Sequence, residues 1–123
     1  MNKFALLSGS VLGFLTVAIG AFGAHSLKNI LESNNRINTF ETAVHYQAIH
    51  ALALLIIGIL ASKLDSNLLS YSAYAFVVGT IIFSGSLYTL SITNITIFGA
   101  ITPIGGLCFL IGWGVLFMAI LKL

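Results

Sequence analysis

Four long apolar runs, each ended by a cluster of charged, hydroxyl or amide residues, set the pattern of this chain: Phe4 to Ala24, Thr39 to Ser62, Leu68 to Leu90, and about Ile97 to Leu121. A hydrocarbon core of about 30 Å is crossed by roughly 20 helical residues, so each run is long enough to span. The pattern predicts one transmembrane domain over residues 1–123, an all-α integral membrane protein with four transmembrane helices in an antiparallel bundle. Residues 25–38 form the longest polar connection, read as interfacial: Leu27, Ile30 and Leu31 share one side of a short turn, and Lys28 and Glu32 another. The first run follows Met1, Asn2 and Lys3, yet it exceeds the roughly 7 to 15 residues of a signal-peptide core and is read as a retained helix. The brief Lys63–Asn67 connection makes the second and third spans antiparallel neighbours.

Composition moves the setting from water to lipid. The chain is 59% hydrophobic and 7% charged, with a mean hydropathy of +1.08, whereas soluble domains carry about 25% charged residues. Five cations and three anions are scattered over loops and ends, too few and too dispersed for a nucleic-acid surface. Lys3, Lys63 and Lys122 fall on one side and Lys28 and Arg36 on the other, so the positive-inside rule places both termini in the cytoplasm by three to two. Cys108 stands alone, which excludes an intramolecular disulfide and a thiolate metal cluster.

Candidate residues follow from position within the spans. In the first, Gly9, Gly13, Thr16, Gly20 and Gly23 repeat at alternating spacings of four and three, a stripe of small residues suited to close helix packing. Its partner is another helix of the same chain, the favoured reading, or a second copy. The second span opens with Asn38 and Glu41 in capping-box spacing. It carries Ala43, Gln47, His50, Leu54, Gly58 and Ala61 along one face, with Tyr46 beside His50. His50 falls near mid-bilayer, where an ionisable side chain normally faces the bundle interior and marks a functional candidate. The third span adds Thr80, Ser84, Tyr88 and Ser91, and with Gly79 and Gly85 makes a face able to receive that polar stripe. Each hydroxyl taken singly is expected to bond back to its own helix. His25, Glu41 and His45 are read as interfacial. In the fourth span, Thr102, Pro103, Gly105 and Gly106 predict a late start or a broken helix. Trp113 reads as an anchor, and Asn94-Ile95-Thr96 matches a common glycosylation triplet.

The strings GAFGAHSLK (Gly20 to Lys28), FETAVHYQAIHALALL (Phe40 to Leu55), FSGSLY (Phe83 to Tyr88) and GAITPIGG (Gly99 to Gly106) resemble the bacterial membrane-protein family known as domain of unknown function 423. Ser26 stands where that pattern has glycine. The resemblance implies a four-helix protein of the cytoplasmic membrane with no agreed activity, and it supplies no catalytic residues.

The expected function is that of a non-enzymatic membrane protein, a small permeation or ligand-binding unit lined by His50, Gln47, Tyr46, Ser84 and Tyr88. A second reading is a structural or assembly partner that joins another membrane protein or a homo-oligomer through the glycine stripe. A third is a haem or metal redox protein using His25, His45 or His50, although the paired patterns of helical metal sites are missing. No cofactor and no metal is expected. The lipid bilayer is the partner common to every reading.

Overall fold

The structure, a computed structural model, describes all 123 residues. It contains α1 (Lys3–Ala24), α2 (Lys28–Ser33), α3 (Ile37–Leu60), α4 (Asn67–Thr93) and α5 (Phe98–Ile120), and no strand. All but α2 are long and apolar enough to cross a membrane. A helix pairs its backbone groups within itself, which is what a lipid solvent demands.

The ends are set by short polar side chains. Asn2 accepts the Ala5 N–H at 3.0 Å, and Ser66 accepts the Leu68 N–H at 3.2 Å. Asn94 closes α4 in the left-handed region at φ 54°, a conformation asparagine tolerates better than most residues. The capping box expected at Asn38 and Glu41 does not form. The Arg36 N–H bonds back to the Leu31 carbonyl at 2.9 Å, so the chain turns directly from α2 into α3. That helix then starts at Ile37 without a side-chain cap, which leaves Glu41 exposed in its second turn.

The backbones of the spans approach in chain order, α1 on α3, α3 on α4, and α4 on α5, the last pair most extensively, while no Cα of α1 comes within 8 Å of one in α5. Hydrogen bonds lock both rims. On one, the Asn2 N–H reaches the Gly58 carbonyl at 3.1 Å and the Asn2 amide donates to Ser70 Oγ at 2.9 Å. On the other, the Asn34 amide donates to the carbonyls of Ser91 and Ile92, each at 3.0 Å, and Arg36 Nε donates to Asn94 Oδ1 at 3.0 Å. Both chain ends therefore share the first rim, and α2 lies at the second.

Two expectations need correction here. The fourth span is not broken at Thr102, Pro103, Gly105 and Gly106: α5 runs uninterrupted through Pro103. Pro103, the sixth residue of α5, withdraws the one N–H that would bond to the Gly99 carbonyl, and the helix continues past that lost ladder bond. Thr102 is held by Ser86 at 2.6 Å. Gly105 is buried because the Phe83 backbone of α4 lies against it, and a Cβ on Gly106 would meet the Phe83 ring at an ordinary 4.0 Å. Gly79 likewise faces Phe109 and Cys108 of α5, and a Cβ on Gly85 would meet nothing within 4 Å, so neither receives the polar face of α3.

The small-residue stripe of α1 is also not one continuous seam. A Cβ on Gly9 would stand 2.9 Å from the Ala51 carbonyl oxygen, and Gly23 lies against the Phe40 ring. Gly20 has ordinary clearance, 3.6 Å from Val44, and Gly13 meets nothing within 4 Å. Near Gly13 the link to α3 is a bridging Gln47 side chain, and Thr16 spends its hydroxyl on the Leu12 carbonyl of its own helix at 2.6 Å.

Candidate functional site

The interior polar residues of α3 are brought inward, and each is tied to a neighbouring span. Gln47, His50 and Ser84 are 3%, 2% and 1% exposed. Gln47 Nε2 donates to the Leu12 carbonyl at 3.1 Å, and Gln47 Oε1 accepts the Tyr88 hydroxyl at 2.6 Å. A carbonyl can only accept, so Leu12 fixes which way the amide points. One side chain thus joins α1, α3 and α4. The Ser84 hydroxyl donates to the Ala43 carbonyl at 2.7 Å, from α4 to α3, and the Ser72 hydroxyl to the Gly112 carbonyl at 2.8 Å, from α4 to α5. Thr80 and Ser91 bond back to Phe76 and Leu87 of their own helix.

Interhelical bonds in membranes average about 0.6 kcal/mol and reach about 1.7. Gln47→Leu, which loses two, is expected to destabilise the protein by about 1–2 kcal/mol in detergent unfolding. Tyr88→Phe should cost about half as much.

His50 occupies an aromatic cage. Its ring stacks on Phe109 at a centroid distance of 3.7 Å and an interplanar angle of 7°, with Phe76 edge-on at 5.0 Å. Trp113 Nε1 donates to His50 Nε2 at 3.1 Å, while His50 Nδ1 lies 2.7 Å from the Tyr46 carbonyl. An indole only donates, so Nε2 accepts and Nδ1 carries the proton. The ring is therefore a neutral imidazole with both nitrogens engaged. Trp113 is a partner of the central histidine, which corrects its reading as an anchor. The cue in the sequence was the placement of Phe109 and Trp113 one turn apart on α5.

Tyr46 does not join this interior. It is 40% exposed, its ring rests on Phe83 at 4.8 Å, and it borders a shallow depression with Asn38, Glu41, Thr42 and His45. His25, Glu41 and His45 are exposed. His25 follows α1, and its backbone N–H bonds to the carbonyls of Ala21 and Phe22. No cluster of three or more His, Cys, Asp or Glu side chains exists, and the three histidines do not converge.

A second site lies where α1, α2 and α3 diverge. A cleft of about 500 Å³ opens there, between apolar walls that include Gly20, Leu31, Phe40, Val44 and Ala48. Lys28, Glu41 and His45 also line it. From Glu41 inward to Ala48 the wall runs seven residues along α3, about 10 Å at helical rise. The charged groups are thus at the membrane-surface end, and the deep end is apolar. Sequence reading placed Glu41 and His45 at the interface but gave Lys28 no part in a site. The cue was the division of α2 into an apolar side and a charged side.

Four apolar spans, rims closed by asparagine and a polar interior without an orphaned buried side-chain atom define a compact multi-pass integral membrane protein. The profile of the family described as protein of unknown function (DUF423) matches residues 19–106, and the chain belongs to this family. It is 41% identical over 120 residues to UPF0382 membrane protein SH2409 of Staphylococcus haemolyticus, covering 98% of this chain and 97% of that one. It is 38% identical over 121 residues to UPF0382 membrane protein YwdK of Bacillus subtilis, covering 98% of each. With UPF0382 inner membrane protein YgdD of Escherichia coli K12 it shares 34% identity over 122 residues, 99% of this chain and 92% of the relative. No solved structure matches the chain.

Proposed function

We propose that this protein is a non-enzymatic ligand-binding unit of the bacterial cell membrane that holds an amphiphile in the cleft between α1, α2 and α3. The observation that carries the reading is the cleft itself, about 500 Å³ with Lys28 and Glu41 toward its outer end and Val44 and Ala48 deeper. Ligand pockets measure about 300–1,000 Å³ and combine apolar walls with a few placed polar groups. Binding is favoured over permeation because the residues that would line a path are already spent. Gln47, Ser84 and Tyr88 bond to one another's helices, and the two nitrogens of His50 face Tyr46 and Trp113. The same saturation leaves His50 no lone pair for a metal or haem.

Lys3 and Lys63, on the rim with the chain ends, outnumber the opposite cations once Lys122 is included, so this reading places both termini in the cytoplasm. The cleft then opens toward the outer leaflet.

Ala48→Phe tests the proposal by filling the deep end. With a photoactivatable phospholipid in vesicles, the wild type should be labelled preferentially on the segments 20–31 and 37–48 that line the cleft. Labelling there should fall several-fold in Ala48→Phe and stay unchanged in Ala100→Phe, an exposed position on α5. Uniform labelling of all four spans, indifferent to Ala48→Phe, would remove the idea.

A further inference from the structure

Lys28 and Glu41 line the same cleft from different elements, the start of α2 and the second turn of α3. They do not neutralise each other, since no ion pair in the chain closes to 4 Å. Both are exposed. The outer end of the cleft therefore presents one cation and one carboxylate at separate points, above a wall that becomes apolar with depth.

That division constrains what fits. A fatty acid or an anionic phospholipid would satisfy Lys28 but bring a second negative group toward Glu41. A quaternary ammonium headgroup carries the right charge for Glu41 but has no N–H to donate. A primary ammonium supplies three donors to a carboxylate, the stronger, charge-assisted kind of hydrogen bond. Resting on the amphiphile-binding reading above, we propose that the cleft selects a zwitterionic aminophospholipid, its phosphate at Lys28 and its primary ammonium at Glu41. One acyl chain runs inward past Val44, Ala48 and Gly20. Glycine at position 20 keeps this wall low: a Cβ there would stand 3.6 Å from Val44, and any longer side chain would enter the groove.

The test uses the full chain in nanodiscs holding equal parts phosphatidylethanolamine, phosphatidylcholine and phosphatidylglycerol, with lipids retained on the ejected protein read by native mass spectrometry. The wild type should retain one phosphatidylethanolamine with a preference of about tenfold over each of the others, the scale of one charge-assisted bond. Glu41→Gln should erase the preference over phosphatidylcholine, and Lys28→Gln should lower retention of all three lipids. Both side chains are exposed, so neither change threatens the fold. Equal retention of the three headgroups by the wild type, or a preference that survives Glu41→Gln, would overturn the assignment. Ala48→Phe separates this failure from that of the broader reading. If it abolishes lipid retention while headgroups remain equivalent, the cleft binds lipid without selecting the headgroup. If it changes nothing, or if only a second copy of the chain is found on the protein, both ideas fall.

Discussion

Gly105→Leu should be the most damaging single substitution in the chain, with an expected loss of 3 kcal/mol or more (~3, the upper end for an overpacked core). A Cβ there would run into the Phe83 backbone, including its amide nitrogen and Cα, rather than into the end of a flexible side chain. A backbone inside a helix cannot turn aside, so α5 must move away from α4. In doing so it would disturb the neighbouring contacts of the same interface, where Gly79 lies against Phe109 and Gly112 against Phe76. In lipid there is little hydrophobic drive to hold the displaced helix nearby, because its apolar face is already solvated by acyl chains. Gly105→Ala should show the same effect at reduced size, about 1–3 kcal/mol. Gly114→Ala on the same helix is the control, for its new Cβ would meet nothing within 4 Å. It should change stability by no more than about 0.5 kcal/mol. The measurement is reversible unfolding in mixed micelles followed by circular dichroism. Equal midpoints for Gly105→Leu and Gly114→Ala would show that the close approach of α4 and α5 contributes nothing.

The same interface shows what was legible in the sequence. The four spans were readable because a hydrocarbon solvent leaves the backbone few alternatives to a helix, and charged or amide residues interrupt every apolar run. The inward face of α3 was readable for a related reason: Gln47 and His50 share it with small residues, and lipid would not solvate them. What the hydroxyls do was not readable. Ser84 and Ser72 cross to another helix, whereas Thr80 and Ser91 on the same span turn back to their own. Hydroxyl chemistry is alike in both cases, so the pattern along the span does not separate them. Pro103 misled because proline's effect on a helix is local: it removes one ladder bond, while close packing of the neighbouring Gly105 on the Phe83 backbone holds α5 along α4. The two-sided pattern of α2 hinted at the charged end of the cleft, but the cleft itself was not readable, since it arises from the divergence of three elements rather than from the pattern of any one. Tyr46 failed as an interior residue because it sits at the edge of the inward face: four residues before His50, it lies a net ~40° from that ring, but about 100° from the buried Gln47.

Replacing His50 should produce the second large effect and reveal what the central histidine contributes. His50→Ala removes a ring that stacks on Phe109 at 3.7 Å and meets the edge of Phe76 at 5.0 Å. Truncating a buried aromatic ring to alanine costs about 3–5 kcal/mol in soluble cores, so a loss near 3 kcal/mol is expected here. His50→Phe keeps a ring of similar size and isolates the polar part. Its cost, about 1–3 kcal/mol, is that of leaving the Trp113 N–H without its acceptor, because hydrocarbon offers no replacement. Trp113 is the only tryptophan in the chain, so its fluorescence reports that bond directly. Both variants should shift its emission, and only His50→Ala should also lose the full packing contribution. In the wild type, nitrogen NMR of labelled histidine should find the His50 proton on Nδ1 and a bare Nε2, the tautomer that the indole donor requires. If His50→Phe matches the wild type in stability and Trp113 emission, the hydrogen bond contributes nothing and the histidine serves as a stacking ring alone. If instead the emission shifts and stability falls as expected, the most suspicious polar residue in the membrane is a structural keystone between α3 and α5. The search for activity then belongs at the cleft, where Lys28 and Glu41 still have charges to share.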